Sequence, residues 1–424
     1  MTNSNSSAEI KLGGPMAWWV WALAVTFVVY LFSFQTGYAI VNPNVQKDIN
    51  LSVAQVGTIA AVYTWVFAVC QFFGGALLDR IGSRKVLPIS IGLVTIGIFI
   101  FANAKTFEML LLSQVVIAIG SCTGFVGAGY VGGSWFGMAK FSIMFGLVQL
   151  MASLTSAFSQ NLIGLALDTV TWRELFNMTA LFGIALLVLG CLYIKDPKPV
   201  VSDHHGGIGE FFASVTASMF DVAKIGHVWL SALAGALTFG AMLALGVIWM
   251  PKILMAHGLS ESTANFGASL LWLGLAGGSA VIPHLSDVFR NRKILIVLGN
   301  LVQLIAALIM VYASGLSSTA ALLLCFIFGF ANASHMLTFS SAADVVRPQQ
   351  IGTSAALVNG IMFIAGGILM SRPGVRIGWG LEEGLKPESL ELVRYAGLPI
   401  TIALILAVIF AILMRETYPK QSGS

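Results

Sequence analysis

The sequence predicts an all-α polytopic membrane protein made of two pseudo-symmetric six-helix bundles. Three observations carry that prediction. First, 57% of the chain is hydrophobic and only 9% is charged. A soluble domain carries about 25% charged residues, so most of this surface meets lipid. Second, about twelve apolar stretches are long enough for a bilayer core, which needs about 20 residues per helix. Third, the run Asp79-Arg80-Ile81-Gly82-Ser83-Arg84-Lys85 returns as Asp287-Val288-Phe289-Arg290-Asn291-Arg292-Lys293, close to half the chain later. A membrane chain that repeats such a hairpin reads as a duplicated bundle of helices. Paired bundles that rock against each other are a recurrent design of secondary transporters.

Taken in order, residues 1–16 form a polar tail without a cleavable leader, because the apolar stretch that follows is too long for one. The first bundle, 17–194, holds spans at about 17–41, 53–78, 86–104, 108–132, 141–165 and 175–194. A central loop, 195–226, contains Pro197, Pro199 and the His204-His205 pair, a solvated pair with no acidic or thiol partner at metal-ligand spacing. Phe211, Phe212, Val215, Met219 and Val222 then share one helical face, which predicts an amphipathic helix on the membrane surface. The second bundle, 227–414, holds spans at about 228–250, 264–284, 294–313, 319–342, 352–371 and 395–414, before a tail at 415–424.

Lys and Arg fix the orientation. Arg80, Arg84, Lys85, Lys140, Lys195 and Lys224 lie in connections on one side, joined by Lys11, Lys198, Arg290, Arg292, Lys293, Arg347, Arg415 and Lys420. The other side carries fewer, half of them in the connection from Arg372 to Arg394. The positive-inside rule puts both termini in the cytoplasm. A net charge of +4 is too weak to imply nucleic acid. Cys70, Cys122, Cys191 and Cys325 are scattered through apolar stretches, which implies neither a disulfide framework nor a metal site. No cofactor is implied.

Gly75, Asp79, Arg80, Gly82, Arg84 and Lys85 fall at the positions of a signature loop. With twelve spans and a second copy at Asp287, Arg292 and Lys293, the chain resembles the major facilitator superfamily over nearly its whole length. Gly82 permits the tight turn between antiparallel helices. Asp79 stands where a helix N-terminus of the other half can meet it. The resemblance implies a latch that holds the cytoplasmic side shut while the cavity opens outward, with Asp344 and Arg347 as candidate partners. Where the family has an arginine and two glycines in the fourth span, this chain has Gln114, Ala118 and Gly120. The fifth span has no proline from Phe141 to Gly164, unlike drug–proton antiporters of the family. Trp172-Arg173 and Trp135-Phe136 are similar to the spacing in bacterial solute importers. The stretch from Tyr63 to Lys85 resembles the phagosomal nutrient-transporter branch more weakly.

Ionisable groups inside a span are costly, about 2.5–3.5 kcal/mol on insertion scales, so a deep one is a functional candidate. His335 is that candidate, with Asn332 three residues before it. It reads equally as a solute ligand or proton carrier and as a neutral side chain bonded to a neighbouring helix. Gln35, Tyr38, Tyr63, Thr123, Gln149 and Asn359 are the accompanying polar candidates, with Trp65 as an aromatic wall. A polar, nearly uncharged cavity fits an amino acid, a monocarboxylate or a nucleoside. Proton-coupled import across a bacterial inner membrane by a monomer in lipid is therefore expected. A hydroxycarboxylate siderophore is the alternative cargo and a non-transporting sensor the alternative role. No convergent carboxylates or Ser-His pair point to an enzyme.

Overall fold

The computed structural model describes residues 12–197 and 208–419. Lys11, Lys198, the His204-His205 pair and Lys420 lie outside the described residues. Among the described residues the fold is all-α, and twelve helical stretches are long and apolar enough to cross a membrane. The first six comprise α1 (Pro15–Ile49), α2 (Val53–Ile81), α3 (Ser83–Ala102), α4 (Phe107–Ser121) with α5 (Gly124–Phe136), α6 (Phe141–Leu167) and α7 (Trp172–Tyr193). A linker helix, α8 (Ile208–Ala223), precedes the second six. These are α9 (Gly226–Ala244) with α10 (Met250–Ala256), α11 (Glu261–Phe289), α12 (Lys293–Tyr312), α13 (Ser318–Asn332) with α14 (Met336–Ala343), α15 (Ile351–Glu382) and α16 (Leu390–Leu413).

Three predicted spans are interrupted. The fourth breaks at Cys122-Thr123, the tenth passes through a 3₁₀ turn at Ala333–His335, and the seventh carries a π turn at Leu245–Trp249. Hydroxyl groups brace two of these breaks, in the fourth span and in the tenth. Thr123 Oγ1 donates to Ser90 Oγ at 2.7 Å, and Thr338 Oγ1 donates to the His335 carbonyl at 2.6 Å. The first span runs on through Pro43 to Ile49, and the eleventh continues to Glu382.

Six helix starts carry their own caps. Ser52 with Gln55 and Thr171 with Glu174 form reciprocal boxes, and Thr106, Ser260, Ser317 and Ser389 cap through their hydroxyls. The starts of α3, α12 and α15 carry none. Their free N–H groups need acceptors from elsewhere in the chain, and each finds a carboxylate.

The bundles meet along two seams, α2 with α15 and α6 with α11. α8 lies under α2 and α15 with Val215 and Val222 buried, whereas Phe212 and Phe220 are exposed.

Candidate functional site

A small cavity lies between the bundles. Its polar lining is Gln35 from α1, Ser121 from α4, Gln149 from α6, His335, and Asn359 from α15. Its aromatic lining is Phe32, Phe67, Phe125, Phe239, Phe339 and Phe363, drawn from both halves. Among the described residues no Asp, Glu, Lys or Arg side chain lines it.

Gln35 donates through Nε2 to the Tyr63 hydroxyl, which joins α1 to α2 beside the cavity. The Tyr63 ring stacks on Phe67, centroids 5.7 Å apart, and Phe67 meets Phe363 edge-on at 4.8 Å across the halves. Gln149 Nε2 donates to Ser153 Oγ at 3.0 Å. His335 stacks on Phe239, centroids 4.7 Å apart, and its Nδ1 stands 2.7 Å from the Asn332 carbonyl. A carbonyl only accepts, so Nδ1 carries the hydrogen and Nε2 is the nitrogen left for other chemistry. Asn359 is 3% exposed, and its Nδ2 has no hydrogen-bond partner.

Three predicted site residues point elsewhere. Thr123 is spent on Ser90 of α3. Asn332 donates from Nδ2 to the Thr238 carbonyl at 2.9 Å, within a network that continues through Asn300 to α16. The 3₁₀ turn swings its side chain away from that of His335. Tyr38 packs edge-on against Phe101 of α3, inside the first bundle. Trp65 is 68% exposed, away from the α2 stripe of Tyr63, Phe67, Gln71, Gly75 and Asp79.

That stripe leads from the cavity to the face carrying the Asp79 hairpin, here called the motif face. Gly75 lies against the backbone of Gly352, and a Cβ on Gly352 would stand 2.6 Å from the Gly75 carbonyl oxygen. Only glycines permit this approach, which brings the α15 start to Asp79. Gly352 N donates to Asp79 Oδ1 at 2.9 Å, and Thr353 donates to Oδ2 from N at 2.7 Å and Oγ1 at 2.8 Å. Arg80 Nη2 donates to the Ser214 carbonyl of α8 at 2.6 Å. Gly82, at φ +84°, ends α2 and begins α3 in a conformation other residues rarely adopt. On the second seam, a Cβ on Gly146 would lie 2.7 Å from Pro283 Cγ, and beside it Ser142 Oγ of α6 sits 2.7 Å from Ser340 Oγ of α14. Phe145 and Phe339, centroids 4.8 Å apart, close the floor above them.

The second hairpin closes on its own half. Arg292 is 3% exposed and pairs with Asp344, Nε to Oδ2 3.2 Å. Asp344 thus serves the second copy rather than the first, and Arg347 is exposed. Burial pushes the Asp344 carboxyl up to about 6, against the lowering pull of Arg292. Arg292 N and Lys293 N donate to Glu416 at 3.1 and 2.9 Å. In the first half, Ser83 N and Arg84 N donate to Asp196 at 2.8 and 3.2 Å. The Arg84 and Lys85 side chains are exposed, and Asp287 is half-buried near Arg292. Asp196 and Glu416 were not singled out by the sequence reading. A signal exists: Ile194-Lys195-Asp196 and Met414-Arg415-Glu416 end the last span of each half in the same apolar-basic-acidic order.

The arrangement is a solvent-sized, uncharged chamber shared by two bundles and shut on one face by contacts that break without covalent change. The matches to known proteins agree with it. The chain is 19% identical over 193 residues to the uncharacterized transporter YybO of Bacillus subtilis, covering 46% of this chain and 44% of that protein, less than half its length. It is 23% identical over 301 residues to the hexuronate transporter of Bacillus subtilis, covering 68% and 70%. In fold it resembles the human organic anion transporter MFSD10 (TETRAN), at a TM-score of 0.72 and 14% identity, over 94% of this chain and 100% of that one. The family model of the Major Facilitator Superfamily matches residues 22–370. Two like bundles, a shared chamber and a match across most of the length have one meaning: this chain belongs to the Major Facilitator Superfamily, as a multi-pass membrane transporter of a small solute.

Proposed function

We propose that the protein imports a small polar organic solute across a bacterial inner membrane by alternating access, with both termini in the cytoplasm. One observation carries the reading: a cavity with walls from both halves is sealed by Asp79 on the start of α15. A seal made only of hydrogen bonds and close glycine contacts can open, and opening it moves the cavity from one side of the membrane to the other. The motif face carries most of the Lys and Arg, which supports its assignment as cytoplasmic. The hexuronate relative makes a sugar acid one candidate cargo, alongside an amino acid, a monocarboxylate or a nucleoside.

Accumulation is driven by protons, with His335 as the carrier. It is the titratable side chain in the lining, and its Nε2 is not needed for the bond to Asn332. The test is His335→Gln in proteoliposomes. Uptake driven by an imposed pH gradient is expected to fall to background while exchange of solute at equal pH on both sides continues. Gradient-driven uptake at the wild-type rate removes His335 from coupling.

A further inference from the structure

We propose that the cavity takes an uncharged, flat nitrogen heterocycle whose edge carries an amide-type pair of groups, an N–H beside a C=O. This rests on the reading of the cavity as the transport site. The first argument is charge. A carboxylate placed in this chamber would meet no Lys or Arg and could pair only with His335 while that side chain holds its proton. An organic cation gains from the aromatic lining, yet it finds no Asp or Glu to balance a buried charge. An uncharged solute escapes both penalties.

The second argument is hydrogen bonding. The polar groups that reach the cavity from α1, α6 and α15 are all primary amides: Gln35, Gln149 and Asn359. Gln35 and Gln149 each spend Nε2 on a neighbouring hydroxyl, which leaves a carbonyl oxygen that accepts. Asn359 is the reverse case. Its Nδ2 is buried in the cavity wall and unpartnered, a donor without an acceptor. Buried donors in folded proteins are almost always satisfied, so the missing acceptor is assigned to the solute. A solute that offers one C=O to Asn359 and N–H groups to Gln35 and Gln149 completes all three. The amides come from both bundles, so a single flat molecule bridges them.

The third argument is shape. Phe67, Phe363 and Phe239 meet edge to face beside the cavity, an aromatic wall of the kind a planar π system packs against.

The test uses the full chain in proteoliposomes preloaded for counterflow, with hypoxanthine and uracil as uncharged lactams, glucuronate and lactate as carboxylates, and choline as a cation. Counterflow of hypoxanthine or uracil, unaffected by excess of the charged three, is expected. Asn359→Leu is expected to raise the half-saturating concentration about tenfold, the weight of one lost hydrogen bond, with its thermal midpoint unchanged. Should that variant misfold, the wild-type panel alone decides. Counterflow of glucuronate, lactate or choline without the lactams overturns the solute class and leaves the carrier standing. Counterflow of none of the five, in protein with a native helical signal, overturns the solute class and counts against the carrier reading as well.

Discussion

Asp79 does for α15 what that helix cannot do for itself. Gln350 stands at its N-cap without a side-chain cap, and the freed N–H groups of Gly352 and Thr353 find an acceptor in the opposite half of the molecule. Hydrogen bonds to a charged group contribute about 1.5–3 kcal/mol each. A carboxylate at a helix N-terminus also gains from the helix dipole. Asp79→Asn keeps the size and one acceptor oxygen but turns the other into a donor facing two donors. The closed motif face should weaken by about 1–3 kcal/mol, enough to shift the balance of the two states by about tenfold or more. Thiol labelling of a cysteine placed at Ala356 is expected to speed up in that background, while membrane insertion is unchanged. Labelling at the wild-type rate would show that Asp79 is not the latch. The sequence identified Asp79 because the run that holds it returns at Asp287 and falls at the positions of a signature loop. It missed Gly352, since a glycine at the start of a span looks ordinary until a neighbouring backbone is known to rest on it.

At the scale of elements, three helix starts are capped from a distance, and the two caps from within a half mirror each other. Asp196 follows the sixth span and caps α3; Glu416 follows the twelfth and caps α12. Each ties the last helix of its half to the third, so each bundle moves as a unit. The Arg292–Asp344 pair adds a second tie, between the start of α12 and the end of α14. Its pH dependence follows from the sign of the shift. A carboxyl raised from 3.8 to about 6 binds its proton more tightly in the fold than in the unfolded chain, so stability rises as pH falls from about 6 toward 4. Thermal unfolding in detergent should therefore give a higher midpoint at pH 5 than at pH 7. Asp344→Asn should flatten that difference and, by leaving Arg292 buried without its partner, lower the midpoint at pH 7. An unchanged pH slope would remove Asp344 as its source. The spans themselves were legible, because hydropathy needs only composition over about 20 residues. The breaks at Cys122-Thr123 and Ala333–His335 were not, since apolar content is blind to the phase of backbone hydrogen bonds. Polar cavity residues such as Gln35, Gln149, His335 and Asn359 were legible for their rarity in lipid-spanning stretches. The phenylalanine walls were not: with 28 Phe in the chain, no pattern says which face lipid and which face the cavity.

The whole molecule has two seams of the same make. Glycine brings backbones together on each, Gly75 on Gly352 where α2 meets α15, and Gly146 on Ser279 and Pro283 where α6 meets α11. Small residues let rigid bundles touch closely without interlocking side chains, and such surfaces can separate and re-form. Rocking about the cavity must part both seams on the motif face together, since each bundle is tied internally by its caps. A single covalent bridge across either seam should then arrest the entire cycle. Ser142 of α6 and Ser340 of α14 are placed for such a bridge between the halves, beside the second seam, with hydroxyl oxygens 2.7 Å apart. In a background with Cys70, Cys122, Cys191 and Cys325 replaced, Ser142→Cys with Ser340→Cys should transport normally under reductant and stop under mild oxidation. Reductant should then restore the rate, and neither single variant should respond to the oxidant. The bridged protein should still bind solute from the opposite face, which separates arrest of the cycle from damage to the cavity. Continued flux in protein confirmed to be cross-linked would mean that solute passes without the motif face opening, and the rocking mechanism would fail with it.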